Sequence, residues 1–94
     1  VTRRLIERHL HLVQPSTELV ARLGRMTERE REVLTLVARG LSNSEIATTL
    51  HLGEATVRTH IGHVFAKAGA RDRAQAVVFA YESGLVRTGD IAGA

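Results

Sequence analysis

The stretch GLSNSEIATTLHLGEATVRTHIGHVFAKAG, residues 40–69, decides the fold of this chain. It holds two helical patterns in immediate succession. Ser42 and Glu45 have the spacing of a capping box, in which each side chain accepts a hydrogen bond from a backbone N–H group at the start of a helix. They predict a short helix over 43–50. A longer pattern follows over 54–68, so the sequence predicts two helices joined by a tight turn.

The turn between these two helices is short enough to set their geometry. A link of three residues makes the helices cross steeply, and Ala47 is the small residue expected at their contact. This arrangement is a helix-turn-helix. The buried side of the second helix is predicted to carry Val57, Ile61, Val64, Phe65 and Ala68.

The other side of the helix over 54–68 carries short side chains and hydrogen-bond donors. Its members recur at helical spacing and are Ala55, Arg58, Thr59, Gly62, His63 and Ala66. An α-helix enters the major groove of DNA when the side chains facing the bases are short or can donate, and Arg pairs with guanine O6 and N7. The acid-free face therefore fits DNA recognition, although the outer face of an amphipathic helix is often only solvated.

The remaining patterns predict an all-α chain. Helices are expected over 2–13, 28–39, 43–50, 54–68 and 72–83. Thr27 and Glu30 form a further capping box, and Asp72 and Gln75 repeat its spacing. The apolar stripe of the helix over 28–39 consists of Val33, Leu34, Val37 and Ala38.

These elements predict a four-helix domain of the helix-turn-helix type, preceded by an N-terminal linker helix. The inter-domain linker is expected over 1–25, where residues 14–26 have only a helical tendency. The domain is expected over 26–86 and a flexible tail over 87–94. Since the chain begins with Val1 rather than Met, we expect it to be part of a longer protein.

Composition narrows the classes of function. The absence of cysteine excludes disulfides, thiol catalysis and cysteine-based zinc sites, and it fits the reducing cytoplasm. No apolar run reaches the length of a membrane span and no signal peptide is visible, so a soluble cytoplasmic protein without membrane contact is expected. The net charge is +3, and twelve of the thirteen basic residues are Arg, whose guanidinium group suits phosphate and base-edge contacts.

No catalytic or metal-binding constellation is apparent. His60 and His63 have a spacing that a metal could use, but no third ligand lies nearby in sequence. His60 is expected to pack at the edge of the core, while His63 faces DNA or solvent. The charged residues 28–32 are interpreted as a solvated helix start. We therefore predict that the chain is not an enzyme and binds neither a metal nor a cofactor.

The stretch MTEREREVLTLVARGLSNSEIATTLHLGEATVRTHIGHVFAKAGARDRAQAV, residues 26–77, closely resembles the C-terminal DNA-binding domain of the LuxR/NarL/FixJ transcription regulators. The family pattern is Thr-x-Arg-Glu, then Gly-Leu-Ser-Asn-x-Glu-Ile-Ala, then Thr-Val-(Lys/Arg)-x-His. This chain carries these motifs at 27–30, 40–47 and 56–60, and the resemblance extends from residue 26 to about 86.

The resemblance implies a role for each matching position. The long helix would lie in the major groove of double-stranded DNA, with base-reading positions at Arg58, Thr59 and Gly62. Backbone phosphates would be approached by Asn43, Thr56 and Lys67. The chain departs from the family where Gly62 replaces a Lys of some members and where Gly53 replaces a frequent Ser cap. Base reading at position 62 is then lost or passes to His63.

The helix over 72–83 is apolar nearly all round, so it needs cover on two sides. One predicted stripe, Ala76, Val77, Ala80 and Gly84, can face the core, whereas Val78, Phe79 and Tyr81 lie off it. The resemblance implies a homodimer through this helix, with the contact at Gln75, Val78 and Tyr81 and two half-sites about one DNA turn apart. The alternative is that the helix over 2–13 or the linker folds back over it.

The segment VTRRLIE at residues 1–7 also resembles the one that follows the receiver domain in two-component response regulators. A receiver domain is therefore an expected partner within the longer protein. A rival interpretation is a helical adaptor that binds another protein. Its binding would depend little on salt, whereas a DNA-binding protein loses affinity steeply as salt rises.

Overall fold

The computed structural model describes residues 16–87, which form five α-helices joined by short turns. In chain order they are α1 (Thr17–Gly24), α2 (Glu28–Ala38), α3 (Asn43–Leu50), α4 (Glu54–Ala68) and α5 (Arg73–Glu82). No strand occurs among these residues. The helices predicted over 28–39, 43–50, 54–68 and 72–83 match α2 to α5 within one residue at each end, which confirms the all-α helix-turn-helix fold. The helix predicted over 2–13 lies outside the described residues.

Helix α1 lies within residues 14–26, which were predicted to be a linker with a helical tendency. Ser16 caps it, since its side chain accepts the Leu19 N–H at 3.1 Å. The helix packs against α4, with Leu19 and Leu23 half-buried against the core. It has only eight residues, which is too few for apolar periodicity to separate a helix from a linker.

Helix α2 lies at the centre of the domain and packs against α3, α4 and α5. Its predicted apolar stripe is buried and divides between two core clusters. Val33 and Val37 join the first cluster with Ile46, Ala47 and Val57. Leu34 and Ala38 join the second cluster, whose other members are Met26, Val64, Ala68, Ala76, Phe79, Ala80 and Val86. The first cluster holds the two helices of the helix-turn-helix together.

The turn of the helix-turn-helix depends on a left-handed residue that is not glycine. His51, the C-cap of α3, has φ 57° and ψ 45°. This conformation lets the Leu52 N–H donate to the Ala47 carbonyl at 2.9 Å, as in a Schellman closure. Ala47 itself is buried, as expected of the small residue at the helix crossing.

Both capping boxes that precede α2 and α3 are present. Glu30 N–H donates to Thr27 Oγ1 at 3.1 Å, and Thr27 N–H donates to Glu30 Oε1 at 2.8 Å. Ser42 and Glu45 make the same pair of bonds, and the N–H of Ser42 lowers the pKa of the Glu45 carboxyl.

The third predicted box is only half formed, at the start of α5. Asp72 Oδ1 accepts the Gln75 N–H at 2.9 Å. Gln75 Oε1 instead accepts the N–H of Arg71, one residue before the cap, at 2.7 Å.

Helix α5 corrects the predicted division between its core and outer sides. Phe79 was expected off the core stripe, yet it is only 5% exposed and belongs to the second core cluster. Tyr81 is half-buried against the same cluster. Val78 is the exception, with 53% of its surface exposed. Within residues 16–87, no helix is long and apolar enough to cross a membrane.

Candidate nucleic-acid interface

One face of α4 is open along its length. All six residues of the predicted stripe are exposed, namely Ala55, Arg58, Thr59, Gly62, His63 and Ala66. Val57 and Val64, on the opposite side, are completely buried. The side of α4 opposite the core thus carries short side chains, the guanidinium group of Arg58 and the imidazole ring of His63, and it carries no acid.

The side chains on this open face make few contacts with the rest of the domain. Within residues 16–87, Arg58 forms no ion pair, so its guanidinium group is open to a ligand. Thr59 Oγ1 donates to the Ala55 carbonyl at 3.1 Å, which leaves its oxygen able to accept. A Cβ atom built on Gly62 would meet no other atom within 4 Å, so the face is flat at that position.

The N-terminal end of α4 has no side-chain cap. Its N-cap, Gly53, makes no side-chain hydrogen bond, as the departure from the family pattern suggested. Thr56, in the first turn of the helix, is exposed.

The start of α3 approaches the start of α5. Asn43, the first residue of α3, is half-buried. Its Oδ1 accepts a hydrogen bond from Nη2 of Arg73 at 2.6 Å, and Nη1 of Arg73 lies 3.4 Å from the carbonyl oxygen of Leu41. Asn43 was predicted from the sequence as a phosphate contact but Arg73 was not predicted, because their separation of 30 residues leaves no local signal.

Lys67 is held by the domain rather than extended towards solvent. Its Nζ donates to Glu30 Oε1 at 2.7 Å and to the Arg25 carbonyl at 3.3 Å. The Lys67 side chain is 36% exposed, whereas that of Glu30 is only 6% exposed. The interpretation of residues 28–32 as a solvated helix start is therefore wrong for Glu30, which is a buried link between α2 and α4.

The electrostatic surroundings of Glu30 favour its charged form. The hydrogen bond from Lys67 lowers the pKa of the carboxyl most, and the bonds from Thr27 lower it further. Burial acts in the opposite direction, since a buried carboxylate loses hydration. The net result is a pKa below the ordinary value of 4.5, so Glu30 is ionised near neutral pH.

The C-terminal end of α4 is closed by α1. Nη1 of Arg22 donates to the Ala68 carbonyl at 3.0 Å, and Nη2 pairs with Glu18 at 2.7 Å. Gly69 follows in the left-handed region with φ 72°, and a Cβ atom there would lie 2.6 Å from Nη1 of Arg22. The left-handed backbone favours glycine at this position, and a larger residue would also displace the end of the flexible Arg22 side chain.

The two histidines of α4 differ in exposure. His60 is half-buried and His63 is exposed. Among residues 16–87, no group of three His, Cys, Asp or Glu side chains could hold a metal ion.

The helix-turn-helix lies within a region that matches a known family. Residues 25–80 match the family model described as GerE, bacterial regulatory proteins, luxR family. The chain belongs to this luxR family. The family binds DNA in transcription regulation and is non-enzymatic, so the predictions of the family, of DNA binding and of the absence of catalysis are confirmed.

Several curated relatives share the same domain. Response regulator protein VraR of Staphylococcus aureus (strain Mu3 / ATCC 700698) is 44% identical over 62 residues, and the proteins of that name from Staphylococcus saprophyticus and Staphylococcus epidermidis have the same identity. The aligned part is 66% of this chain and 30% of each relative. The chain therefore spans less than a third of the length of these relatives.

The luxR-family match begins after α1 has ended. Residues 25–80 include α2, α3, α4 and most of α5, but not Arg22 or its bond to the end of α4. In this luxR-family domain, α1 thus lies outside the matched region. It contacts α4, the helix that carries the open face.

Proposed function

We propose that this chain is the sequence-specific DNA-binding domain of a transcription regulator, with α4 lying in the major groove. The observation that carries the proposal is the exposed, acid-free face of α4. A groove-facing helix needs short side chains where the backbone approaches the bases and donors where it reads them. Family membership supports DNA as the ligand.

The exposed face suggests which residues contact bases and which contact phosphates. Arg58 is the long donor of the face and would pair with a guanine, while Thr59 and His63 contact neighbouring base edges and Gly62 permits close approach. Asn43 and Thr56, at the starts of α3 and α4, would donate to backbone phosphates. Lys67 remains a predicted phosphate contact, although reaching a phosphate would weaken its bond to Glu30.

A homodimer through α5 would place two α4 helices over paired half-sites about one DNA turn apart. Val78 supports this interface because it is exposed beside a shallow groove that Leu19, Gln75 and Phe79 also line. Gln75 and Val78 therefore form the accessible part of the proposed contact. Tyr81 would contribute only its outer edge, since it already packs on the core of its own chain.

The domain would act under the control of a receiver domain in a cytoplasmic two-component regulator. The curated relatives are named response regulators, and each is much longer than the part that this chain matches. The proposal is that phosphorylation of the receiver changes how readily two of these domains bind adjacent half-sites.

Selection of bound sequences from random duplex DNA, at about 50 mM and 200 mM salt, tests this function. A DNA-reading domain enriches a defined, two-fold repeated motif, and its affinity falls steeply between the two salt concentrations. A protein-interaction module enriches no motif and binds its target almost independently of salt. The absence of an enriched motif at the lower salt would contradict the proposal.

A further inference from the structure

One guanidinium group links α5 to α3 through hydrogen bonds to two acceptors. Arg73, the first residue of α5, donates to Asn43 Oδ1 at 2.6 Å and approaches the Leu41 carbonyl at 3.4 Å. Both acceptors flank the N-cap of α3. The side chain of Arg73 therefore reaches across to the segment where the proposed DNA contacts of α3 begin.

This hydrogen bond determines which way the Asn43 carboxamide points. A guanidinium group only donates, so the carboxamide must turn its oxygen towards Arg73. The Nδ2 group, with its two N–H donors, then points away from Arg73. Within residues 16–87, Nδ2 makes no hydrogen bond of its own. A phosphate oxygen only accepts hydrogen bonds, so the unbonded Nδ2 group of Asn43 is a suitable donor to the DNA backbone.

We propose that Arg73 is a positioning residue for DNA binding, which holds Asn43 with its Nδ2 group directed at a backbone phosphate. The inference rests on the proposed function, since it needs the start of α3 to face DNA. Without Arg73 the carboxamide rotates freely and has to be ordered when DNA binds. Ordering one side chain on binding reduces affinity about two- to tenfold.

The principal alternative is that Arg73 contacts a phosphate directly. The two roles differ in their salt dependence. A cation that neutralises a phosphate releases counterions, so its removal lowers the slope of log K against log salt by about one unit. Loss of a positioning residue weakens binding through the neutral Asn43 and leaves this slope nearly unchanged.

A double-mutant cycle on the complete 94-residue chain tests the inference. Binding of a labelled duplex carrying the enriched motif, and of a scrambled duplex, is titrated over a range of salt for Arg73→Ala, Asn43→Ala and the double variant. Arg71→Ala is the matched control, because it removes a charge two residues before Arg73, while the hydrogen bond of Arg71 to Gln75 is made by the backbone N–H. Arg73→Lys keeps the charge and one donor nitrogen, and is expected to recover most of the affinity that Arg73→Ala loses.

The expected result has three parts. Arg73→Ala weakens both duplexes about two- to tenfold at an unchanged salt slope, Arg71→Ala changes binding less, and the double variant binds no more weakly than Asn43→Ala alone. Additive losses, or a slope lowered by about one unit, would show that Arg73 does not act through Asn43. If the unchanged chain bound neither duplex, the proposed function would fail and this inference with it.

Two further measurements keep the test independent of folding defects. Asn43→Asp keeps an acceptor for Arg73 and lacks the Nδ2 donor, so it should retain thermal stability while losing DNA affinity. In the free chain, ¹⁵N relaxation of the Asn43 side chain should show greater mobility in Arg73→Ala than in Arg71→Ala. Equal mobility in these two variants would overturn the positioning role.

Discussion

The two ends of α4 are held in different ways. At the C-terminal end, Arg22 donates to the Ala68 carbonyl and Lys67 pairs with the buried Glu30. At the N-terminal end, Gly53 supplies no side-chain cap, and Arg58 extends into solvent without an ion pair among residues 16–87. Among residues 16–87, Lys67 at the C-terminal end is thus paired with another helix, whereas Arg58 near the N-terminal end is not.

This difference separates the supported end of α4 from the open face that we propose contacts DNA. The bonds at the C-terminal end join α4 to α1 and α2, so they fix the direction in which the helix points. On the exposed face, Arg58 forms no ion pair within residues 16–87, and the Thr59 hydroxyl bonds only to the Ala55 carbonyl of its own helix. A binding surface is most effective when a rigid support of this kind holds it in position.

Removal of α1 should have the largest effect on the supported end. A chain that begins at Arg25 loses the half-buried Leu19 and Leu23 as well as the bond from Arg22 to Ala68. These losses predict a decrease of about 3 kcal/mol in the free energy of unfolding, measured by urea denaturation. The control chain begins at Pro15 and keeps all three contacts. Equal stability of the two chains would show that the domain starts at residue 26, as the sequence alone predicted.

Breaking the ion pair should have the next largest effect. Lys67→Met keeps the apolar stem but leaves the Glu30 carboxylate buried without its cation, which predicts a loss of about 1–3 kcal/mol in unfolding free energy. Arg58→Met removes the same charge from the exposed face and should change stability by less than about 0.5 kcal/mol. A salt slope for DNA binding that fell by about one unit in Lys67→Met would add the predicted phosphate contact to its structural role.

Lowering the pH should weaken the same ion pair between Lys67 and Glu30. Because Lys67 and Thr27 lower the pKa of Glu30 in the folded chain, the stabilisation is complete above the ordinary value of 4.5 and is lost as pH falls through the lower folded-state pKa. Urea midpoints measured from pH 7 to pH 3 should therefore fall more steeply in the unchanged chain than in Lys67→Met. Parallel curves would mean that Glu30 has a similar pKa in both proteins.

The smallest expected effect on folding comes from the outer side of α5. Val78→Asp replaces a side chain that is 53% exposed, so the unfolding free energy should change by less than about 0.5 kcal/mol. If α5 is the dimer contact, sedimentation should show weaker self-association, and cooperative binding to paired half-sites should be lost. The same substitution at Tyr81 is a poorer test, because it would also disturb the core cluster. Unchanged association in Val78→Asp would remove α5 from the proposed interface.

Local sequence signals predicted the helices of this domain and their capping boxes. The side-chain bonds between different helices could not be predicted in this way. The boxes at Thr27 and Ser42 act over three residues, so their partners are readable from spacing alone. Lys67 and Glu30 are 37 residues apart and meet only because α2 packs against α4. The same tertiary packing turns Phe79 inward, although helical periodicity had placed it off the core stripe.

The exposed face of α4 was predicted in full, since helical periodicity determines which residues oppose a buried stripe. The hydrogen bonds of the neighbouring residues Asn43 and Lys67 were not predicted. Asn43 and Lys67 were both expected to approach phosphates. The Lys67 ammonium donates to Glu30, whereas Asn43 accepts from Arg73 through its Oδ1 and keeps its Nδ2 donors for a ligand. Distinguishing a free donor from an engaged one requires the distance between helices, which sequence spacing does not contain.

The most direct test of the central claim compares Arg58→Ala with the unchanged chain on the enriched duplex and on a scrambled one. If α4 reads bases through Arg58, binding to the enriched duplex should weaken by about 1–3 kcal/mol, preference at one base pair should flatten, and the scrambled duplex should be affected much less. Equal weakening of both duplexes would make Arg58 a phosphate contact, and no weakening of either would mean that α4 does not lie in the groove.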